Sequence, residues 1–429
     1  MATVLGFMLA ARRSEMQGLI ALELTCELVG GISRLVHALQ RERGFSNMYL
    51  SAQAECFRQP LDQLTSDSRG LEQSVRRGFN RMDPEAGRGA DKARLFNRIA
   101  LVLHGLDGLA SLRRRVRDQA LSPQESTRAF TRVIGGLLAV VFEAADTSVD
   151  PDITRCLVAL FNFMQGKELA GLERATGVAG FASRMFDLEQ LERLQYLGEG
   201  QQRCFAIFCD YADKLALNAW HQLCTDPVEA EIARLRLVAA RSLPGQPLEA
   251  SLGEPWFELT TRRIDAMKQV EDLLTERLQQ LCQQKIRQAQ ADLDNHRCLL
   301  ERLDQFDDAN EPPGTRLFNV QATELDGAPG DTMGQQLNRS VLDLLHEQNQ
   351  RLQMLAEELD NARSSLNERK LIERAKGVLM SRHGLDEEAS YRILQNAAME
   401  RSQRLADVAQ AVLSLADLMP NASTRVKTG

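Results

Sequence analysis

Apolar and polar residues alternate with the spacing of an α-helix over most of the chain. Leu28, Ile32, Leu35 and Leu39 recur at steps of four and three, and later segments repeat this spacing. Such spacing gathers the apolar side chains on one face of each helix. We therefore predict an all-α protein in which residues 1–306 form a bundle of long amphipathic helices joined by short loops.

A capping residue followed by proline marks four helix starts. The four pairs are Asp83-Pro84, Ser122-Pro123, Asp150-Pro151 and Asp226-Pro227. The first side chain can accept a free backbone N–H, and proline has no N–H to lose at the first helical position. Glu125 and Glu229 lie at the third helical position of two of these helices, which predicts a capping box in each.

The helical spacing stops between residues 307 and 334. This segment has few apolar residues and several turn formers, including Pro312-Pro313-Gly314, so it is predicted to be a flexible linker. Beyond it, one residue in every three or four forms the seam of a coiled coil. The seam consists of Val341, Leu345, Gln348, Leu352, Leu355, Leu359, Ala362 and Leu366. We predict one long helix whose seam packs on a second chain or on a neighbouring helix, and we expect a homodimer.

Residues 335–429 are predicted to combine this coiled coil with a small three-helix core. The long helix runs to Arg382 and stops at Gly384, and Asp386 caps a second helix. A third helix carries an apolar stripe from Leu405 to Ala416.

Composition and charge limit the kind of protein. The 429 residues are 44% hydrophobic and 5% aromatic, and the net charge of −7 argues against a protein that coats nucleic acid through bulk charge. No stretch reaches 18 uncharged apolar residues, and the N-terminus lacks the features of a signal peptide. We expect a cytoplasmic protein that does not bind a membrane.

Residues for catalysis or metal binding are poorly represented. The eight cysteines form no CxxC pair and are predicted to be reduced core residues, while the six histidines are spread singly. Neither a phosphate-binding loop nor a nucleophile motif occurs. We expect no catalytic residues, no metal and no cofactor.

Three arginines fall where the apolar stripe of a helix predicts a hydrocarbon side chain. Arg43, Arg174 and Arg236 each follow an apolar residue of the same stripe by four positions. A single arginine of this kind is commonly paired with a carboxylate or extends to solvent, and that interpretation stays open for each. Three together require an anion, and their planar donors match nitrate, nitrite or a carboxylate. We predict a cage for a small planar oxyanion.

Basic residues gather in the tail although the whole chain is acidic. Residues 369–383 carry a local charge of +4, and further arginines follow. The predicted nucleic-acid contacts are Arg369, Lys370, Arg374, Lys376, Arg382, Arg392, Arg401 and Arg404. A solvated helix face is the alternative. Because aromatic residues are scarce, contact with the phosphates of a structured nucleic acid is favoured over base stacking.

The tail resembles the ANTAR domain, a small three-helix RNA-binding module of transcription antiterminators. The segments that carry the resemblance are Glu373–Met380 (ERAKGVLM), Ala389–Leu394 (ASYRIL), Ala397–Met399 (AAM) and Asp407–Ala409 (DVA). It covers roughly residues 345–418. The resemblance implies binding to stem-loops of a leader RNA, which prevents a terminator from forming.

The N-terminal part looks like the NIT domain, an all-helical sensor of nitrate and nitrite. The segments that carry this resemblance are Leu39–Ser46 (LQRERGFS), Lys167–Ala175 (KELAGLERA) and Trp256–Asp265 (WFELTTRRID). The resemblance, over about residues 20–305, implies that Arg43, Arg174 and Arg236 hold the ligand. Arg234 is an alternative to Arg236, and another small oxyanion is an alternative to nitrate.

Together these features predict a signal-responsive antiterminator for genes of nitrate assimilation. Nitrate or nitrite would neutralise the arginines and free a tail that the bundle otherwise holds. The chief alternative is a ligand-gated DNA-binding repressor that uses the three-helix domain. Against this alternative, Gln410 and Ser414 are the only uncharged polar residues of the third helix that could read bases. A protein–protein scaffold built on the coiled coil is a third interpretation.

Overall fold

The computed structural model describes residues 4–52, 58–82, 90–245, 247–248, 252–307 and 332–418, and this part of the chain is all-α. Its helices are α1 Val4–Ala52, α2 Arg58–Arg81, α3 Ala90–Arg117, α4 Pro123–Thr147, α5 Pro151–Ala182, α6 Leu188–Tyr211, α7 Lys214–Cys224, α8 Pro227–Arg241, α9 Gly253–Asp307, α10 Thr332–His383, α11 Glu387–Arg401 and α12 Leu405–Leu418. We call α1–α9 the N-terminal bundle and α10–α12 the tail. The predicted fold class is confirmed.

Three long helices organise the N-terminal bundle. Helix α1 packs on α2, α4 and α9, and helix α5 packs on α4, α6 and α9. The apolar stripe that begins with Leu28 and Ile32 is fully buried in the main core. Burial of such stripes supplies most of the stability of long helices, because helix propensity alone is weak.

The predicted helix starts are confirmed where the structure describes them. Ser122 and Glu125 form a complete capping box, and Asp150 accepts the N–H groups of residues 152 and 153. Asp226 caps α8, but the predicted capping box with Glu229 does not form. Glu229 instead accepts a hydrogen bond from Arg263 at 2.5 Å, since a charged partner is available in the bundle. The start at Asp83-Pro84 lies outside the described residues.

Helix α3 is long and apolar enough over residues 93–117 to cross a membrane by length and composition alone. In the structure one face of it packs on α4, and Leu95, Val102 and Leu106 lie in the main core. Arg113, near its end, donates to the buried Glu42. Its apolar character is that of a helix that contributes to the bundle core.

Helix α10 is continuous from residue 332 to 383, as predicted for the long helix. Gly384 ends it with a φ of +63°, and Asp386 caps α11 by accepting the N–H of Ala389 at 2.7 Å. The small core of the tail joins α10, α11 and α12 through residues such as Leu379, Leu394 and Val408. The linker predicted at 307–334 falls mostly outside the described residues, so the predicted domain boundaries stay a prediction.

The seam of α10 has two environments. Its last two members, Ala362 and Leu366, are buried, and Leu366 belongs to the main core of the N-terminal bundle. Leu352 is 51% exposed. The side chains at 341–349 lie outside the described residues. The seam therefore packs on a neighbouring helix at its C-terminal end, which is one of the two outcomes that the sequence predicts.

The cysteines are less uniform than predicted. Cys26, Cys204 and Cys282 are buried free thiols, whereas Cys224 and Cys298 are exposed. The prediction of core cysteines is wrong for these last two, because both lie on the outward face of a helix. Cys56 lies outside the described residues.

Candidate functional site

Arg43 is buried at the contact between α1 and α5. Its side chain is 2% exposed, and its two terminal nitrogens donate to the two carboxylate oxygens of Glu168 at 2.5 and 3.1 Å. Gln40 donates to the same carboxylate at 2.8 Å, and Thr131 of α4 accepts from Arg43 at 2.8 Å. The predicted inward position of Arg43 is confirmed, and its partner in this structure is a carboxylate.

Arg174 is also buried, at 7% exposure, but its recorded polar contact is neutral. It donates to the hydroxyl of Thr261 at 3.0 Å and lies over the ring of Phe257 at 5.5 Å. Burial, followed by the nearby charge of Arg43, lowers the pKa of Arg174 to about 10. The guanidinium group stays protonated at neutral pH, and among the described residues no carboxylate pairs with it as Glu168 pairs with Arg43.

Two glycines allow these arginines to approach each other. A Cβ atom added at Gly44 would lie 2.9 Å from a terminal nitrogen of Arg174, and one at Gly171 would lie 2.9 Å from a terminal nitrogen of Arg43. Each arginine thus rests against the backbone of the opposite helix, where no side chain fits. The sequence GLER of α5, residues 171–174, and the sequence ERG of α1, residues 42–44, supply both the arginines and the glycines.

Arg236 lies in a separate ion pair. Its Nε and Nη2 atoms donate to Glu173 at 2.5 and 2.7 Å, and Gln201 donates to the same carboxylate. Burial would lower the pKa of Arg236, but the bidentate contact with Glu173 outweighs it and raises the pKa. The structure brings Arg43 and Arg174 together and places Arg236 on Glu173, since residues 173 and 174 point to different sides of α5. Arg234, the alternative, is exposed and paired with Glu231.

Glu168 and Glu173 are the residues of this region that the sequence reading missed. Both lie in the segment KELAGLERA, one on each side of the glycine at 171. Glutamates in the same helical segment as an inward-facing arginine could have indicated that buried arginines here pair with carboxylates. Only the packing of α1 and α8 on α5 shows which carboxylate serves which arginine.

Three of the predicted nucleic-acid contacts lie against the N-terminal bundle. Lys370 forms an ion pair with Asp146 of α4, and Arg392 pairs with Glu192 of α6 at 2.9 Å. Arg369 lies over the ring of Phe161 at 4.8 Å. The bundle thus covers part of the basic face of the tail with acidic and aromatic side chains.

The other predicted contacts divide between internal bonds and solvent. Arg382 donates to the carbonyl of Ala416, and Arg404 pairs with Asp407 and Glu368, so both bond within the tail. Arg374 and Arg401 are exposed.

Lys376 is buried, which its sequence pattern did not indicate. The sequence predicts Lys376 as a nucleic-acid contact, but its side chain is 4% exposed and pairs with Glu373 and Glu387. Burial would lower the pKa of Lys376, but the two carboxylates raise it. Lys376 thus joins α10 to the start of α11 within the tail. The sequence shows how many charges lie in this segment but not which residues face each of them.

Helix α11 adds further contacts between tail and bundle. The ring of Tyr391 lies 5.8 Å from the ring of Tyr196 and 4.6 Å from the guanidinium carbon of Arg203. Gln395 donates to Glu199 at 3.4 Å. Aromatic and cation–π contacts of this kind strengthen an interface beyond the area they bury.

The fold and the two arginines define a class of protein: an all-helical bundle with a buried cationic site, joined by a long helix to a three-helix domain with a basic face. Two family models match the chain. The model described as nitrate and nitrite sensing (NIT) covers residues 34–279, and the ANTAR domain model covers residues 360–413. The chain therefore belongs to the NIT family of nitrate and nitrite sensing proteins, with an ANTAR domain in its tail.

Known relatives agree with this assignment. The chain is 34% identical to the nitrate regulatory protein of Klebsiella oxytoca over 405 residues, which is 94% of this chain and 93% of the relative. A shorter match, 46% identical over 48 residues, joins 11% of this chain to 23% of the transcriptional regulatory protein PdtaR of Mycobacterium tuberculosis. A solved structure of the NasR transcription antiterminator has a TM-score of 0.59 and 31% identity, and the match covers 97% of this chain and all of that one.

Proposed function

We propose that this protein is a nitrate- or nitrite-responsive regulator of transcription antitermination, and that it is not an enzyme. The bundle would bind the anion, and the tail would bind stem-loops of a leader RNA in the cytoplasm. Relatives named as a nitrate regulatory protein and as a transcription antiterminator support this proposal.

The observation that carries the proposal is the buried charge of Arg174 beside Arg43. An arginine cannot lose its proton at neutral pH, and a buried site with two cations and one close carboxylate favours an added anion. The planar fork of a guanidinium group matches two oxygens of nitrate or nitrite. Arg43 and Arg174 are the proposed ligand residues, and Arg236 would act only if α8 moved its side chain away from Glu173.

The tail contacts explain how the ligand would control RNA binding. In this structure Arg369, Lys370 and Arg392 contact the bundle, so they are not free for phosphate groups. A ligand shifts such an equilibrium only by its difference in affinity for the docked and released states. We propose that anion binding between α1 and α5 favours the released state, because the main core joins α5 to α10 directly.

The first experiment compares wild-type protein with Arg174→Ala. Wild type is expected to bind a two-hairpin leader RNA at least about tenfold more tightly with nitrate than without it. Arg174→Ala is expected to lose this response, because it removes the cation that lacks a close carboxylate. RNA affinity is measured by fluorescence anisotropy, and folding is checked by thermal melting.

Arg234→Ala, which removes an exposed arginine of α8, is the control and should keep the full response. A nitrate response that survives in Arg174→Ala would contradict the ligand site. Duplex DNA of the same sequence is the second probe, and nitrate-dependent binding to it in preference to RNA would favour the DNA-binding alternative.

A further inference from the structure

The carboxylate of Glu168 occupies the donors of Arg43 that a planar oxyanion would use. It accepts from both terminal nitrogens of Arg43, and this two-oxygen contact is the geometry expected for nitrate. Glu168 is 4% exposed, and Gln40 also donates to its carboxylate. A carboxylate and a nitrate ion have the same charge and a similar planar set of oxygens, so they compete for one fork.

The local charges make such competition possible. Arg43 and Arg174 contribute two buried positive charges, and Glu168 contributes one close negative charge. Asp265 favours the charged form of Arg174 as well, but its side chain is exposed. A buried site with this imbalance can accept a second anion, although the carboxylate already present weakens its binding by repulsion.

A route from solvent reaches this carboxylate. A cleft of about 1390 Å³ lies between the bundle and the tail, and Thr131 and Glu168, both bonded to Arg43, line its wall. Arg369 and Lys370 of α10 line the same cleft. An anion that enters the cleft reaches the wall formed by Glu168, and Arg43 lies behind this carboxylate as its hydrogen-bond donor.

We propose that Glu168 is an internal competitor that sets the ligand concentration at which the site responds. In the ligand-free protein it neutralises Arg43, and an incoming oxyanion binds Arg174 and displaces Glu168 from part or all of the Arg43 fork. This inference rests on the proposed function. It predicts that removing the charge of Glu168 makes nitrate bind more tightly.

The test is calorimetric titration of the full chain with nitrate. Glu168→Gln keeps the size of the side chain and removes its charge, and the dissociation constant of nitrate is expected to fall by about tenfold or more. Without nitrate the variant should melt at a lower temperature, because two buried arginines then lack a close carboxylate. Nitrate should raise the melting temperature of the variant by more than it raises that of wild type.

Glu173→Gln is the matched control. Glu173 lies on the same helix, is buried, accepts from both donors of an arginine and receives a glutamine N–H at 2.8 Å, as Glu168 does. This variant should also melt at a lower temperature, but nitrate should bind it as it binds wild type. An equal gain in affinity in both variants would overturn the assignment to Glu168, since any lost negative charge would then have the same effect.

Gln40→Met is a second test of the inference in case Glu168→Gln does not fold. It removes the second donor to Glu168 without changing a charge, and nitrate affinity is expected to rise about threefold. The inference is overturned if wild type binds nitrate and neither Glu168→Gln nor Gln40→Met binds it more tightly. If wild type itself gives no heat with nitrate, the proposed function fails and the inference fails with it. Failure of the inference alone requires that wild type binds nitrate, so the two failures are distinguishable.

Discussion

Charged side chains in the bundle core depend on individual partners. Arg43 has its carboxylate, and an Arg43→Ala variant would leave Glu168 buried without its main partner, which costs about 3–5 kcal/mol in comparable cases. Arg43→Ala would therefore change the stability of the fold as well as the proposed ligand site. Arg174 is the better position for a functional test, because its removal leaves no carboxylate unpaired.

A second buried network joins α1, α5 and α9 around Glu271. Lys167 and Glu271 are both 0% exposed and form an ion pair, and Ser33 donates to the same carboxylate. Burial would raise the pKa of Glu271, but Lys167 and Lys268 outweigh it and lower the pKa to about 2. A neighbouring histidine is affected by the charges of Lys167 and Glu271 in opposite directions.

That histidine is His37 of α1. Burial, followed by the charge of Lys167, lowers the pKa of His37 to about 3. The unfolded chain binds a proton at His37 below about pH 6.5, and the folded chain does not until about pH 3. His37 therefore contributes stability that is fully present above pH 6.5 and is lost as the pH falls through this window.

We predict that His37→Gln removes part of the acid sensitivity of the fold. Between pH 6 and 5, wild type should lose up to about 1.4 kcal/mol of unfolding free energy from this group, and the variant should lose correspondingly less. Urea unfolding at both pH values measures the difference. The window lies above the range in which Glu271 takes up a proton, so identical pH dependence in the two proteins would contradict the assignment to His37.

Helix α10 is the element that connects the two parts of the protein. Near its middle Leu352 is half exposed, and ten to fourteen residues later Ala362 and Leu366 are buried. Arg363 fixes this second region by donating to the carbonyl of Ser148 at 2.7 Å. One apolar stripe thus has a segment that packs on the bundle and a segment that is exposed. The exposed segment is where we expect a second chain to pack in a homodimer.

We predict that Leu352→Glu weakens the homodimer that the sequence of the seam leads us to expect. A charge in an apolar seam of two helices is unfavourable, whereas at a half-exposed position of a monomer it costs little. Sedimentation velocity should show a shift toward monomer, with the melting temperature of the bundle within a few degrees of wild type. Gln353→Glu, one position off the seam, is the control, and equal behaviour of the two variants would exclude a dimer through the seam.

At the scale of the whole molecule, the bundle and the tail share an interface that combines buried apolar contacts, such as that of Leu366, with polar and aromatic ones. Asp146 and Glu192 of the bundle pair with Lys370 and Arg392, and Tyr391 lies between Tyr196 and Arg203. The Arg392–Glu192 pair is exposed, and such pairs contribute only about 0.2–1 kcal/mol, whereas Asp146 and Leu366 are buried at the interface. Release of the tail has to offset this buried part, and a ligand shifts the equilibrium only by its difference in affinity for the docked and released states.

We predict that the double variant Asp146→Asn, Glu192→Gln binds leader RNA more tightly in the absence of nitrate, by about tenfold. The substitutions remove bundle charges that hold Lys370 and Arg392 while leaving both basic residues in place. Fluorescence anisotropy without nitrate measures the gain. Glu231→Gln, which breaks the surface pair with Arg234, should leave RNA affinity unchanged. An unaltered affinity in the double variant would show that docking of the tail does not limit RNA binding.

The sequence by itself determined the local structure of this protein. Helical spacing placed the Leu28 stripe and Arg43 on inward faces, and the caps at Ser122, Asp150 and Asp386 formed as predicted. These features depend on residues three or four positions apart, so a single sequence contains the information.

Only the tertiary structure decided which charges meet. Arg43 and Glu168 are 125 residues apart, Arg236 and Glu173 are 63 apart, and Lys370 and Asp146 are 224 apart. Periodicity shows the face on which a side chain lies but not the helix that packs against that face. For this reason the sequence predicted inward arginines and a basic tail, while the fold separated Arg236 from the other two, buried Lys376 and set the basic face against the bundle.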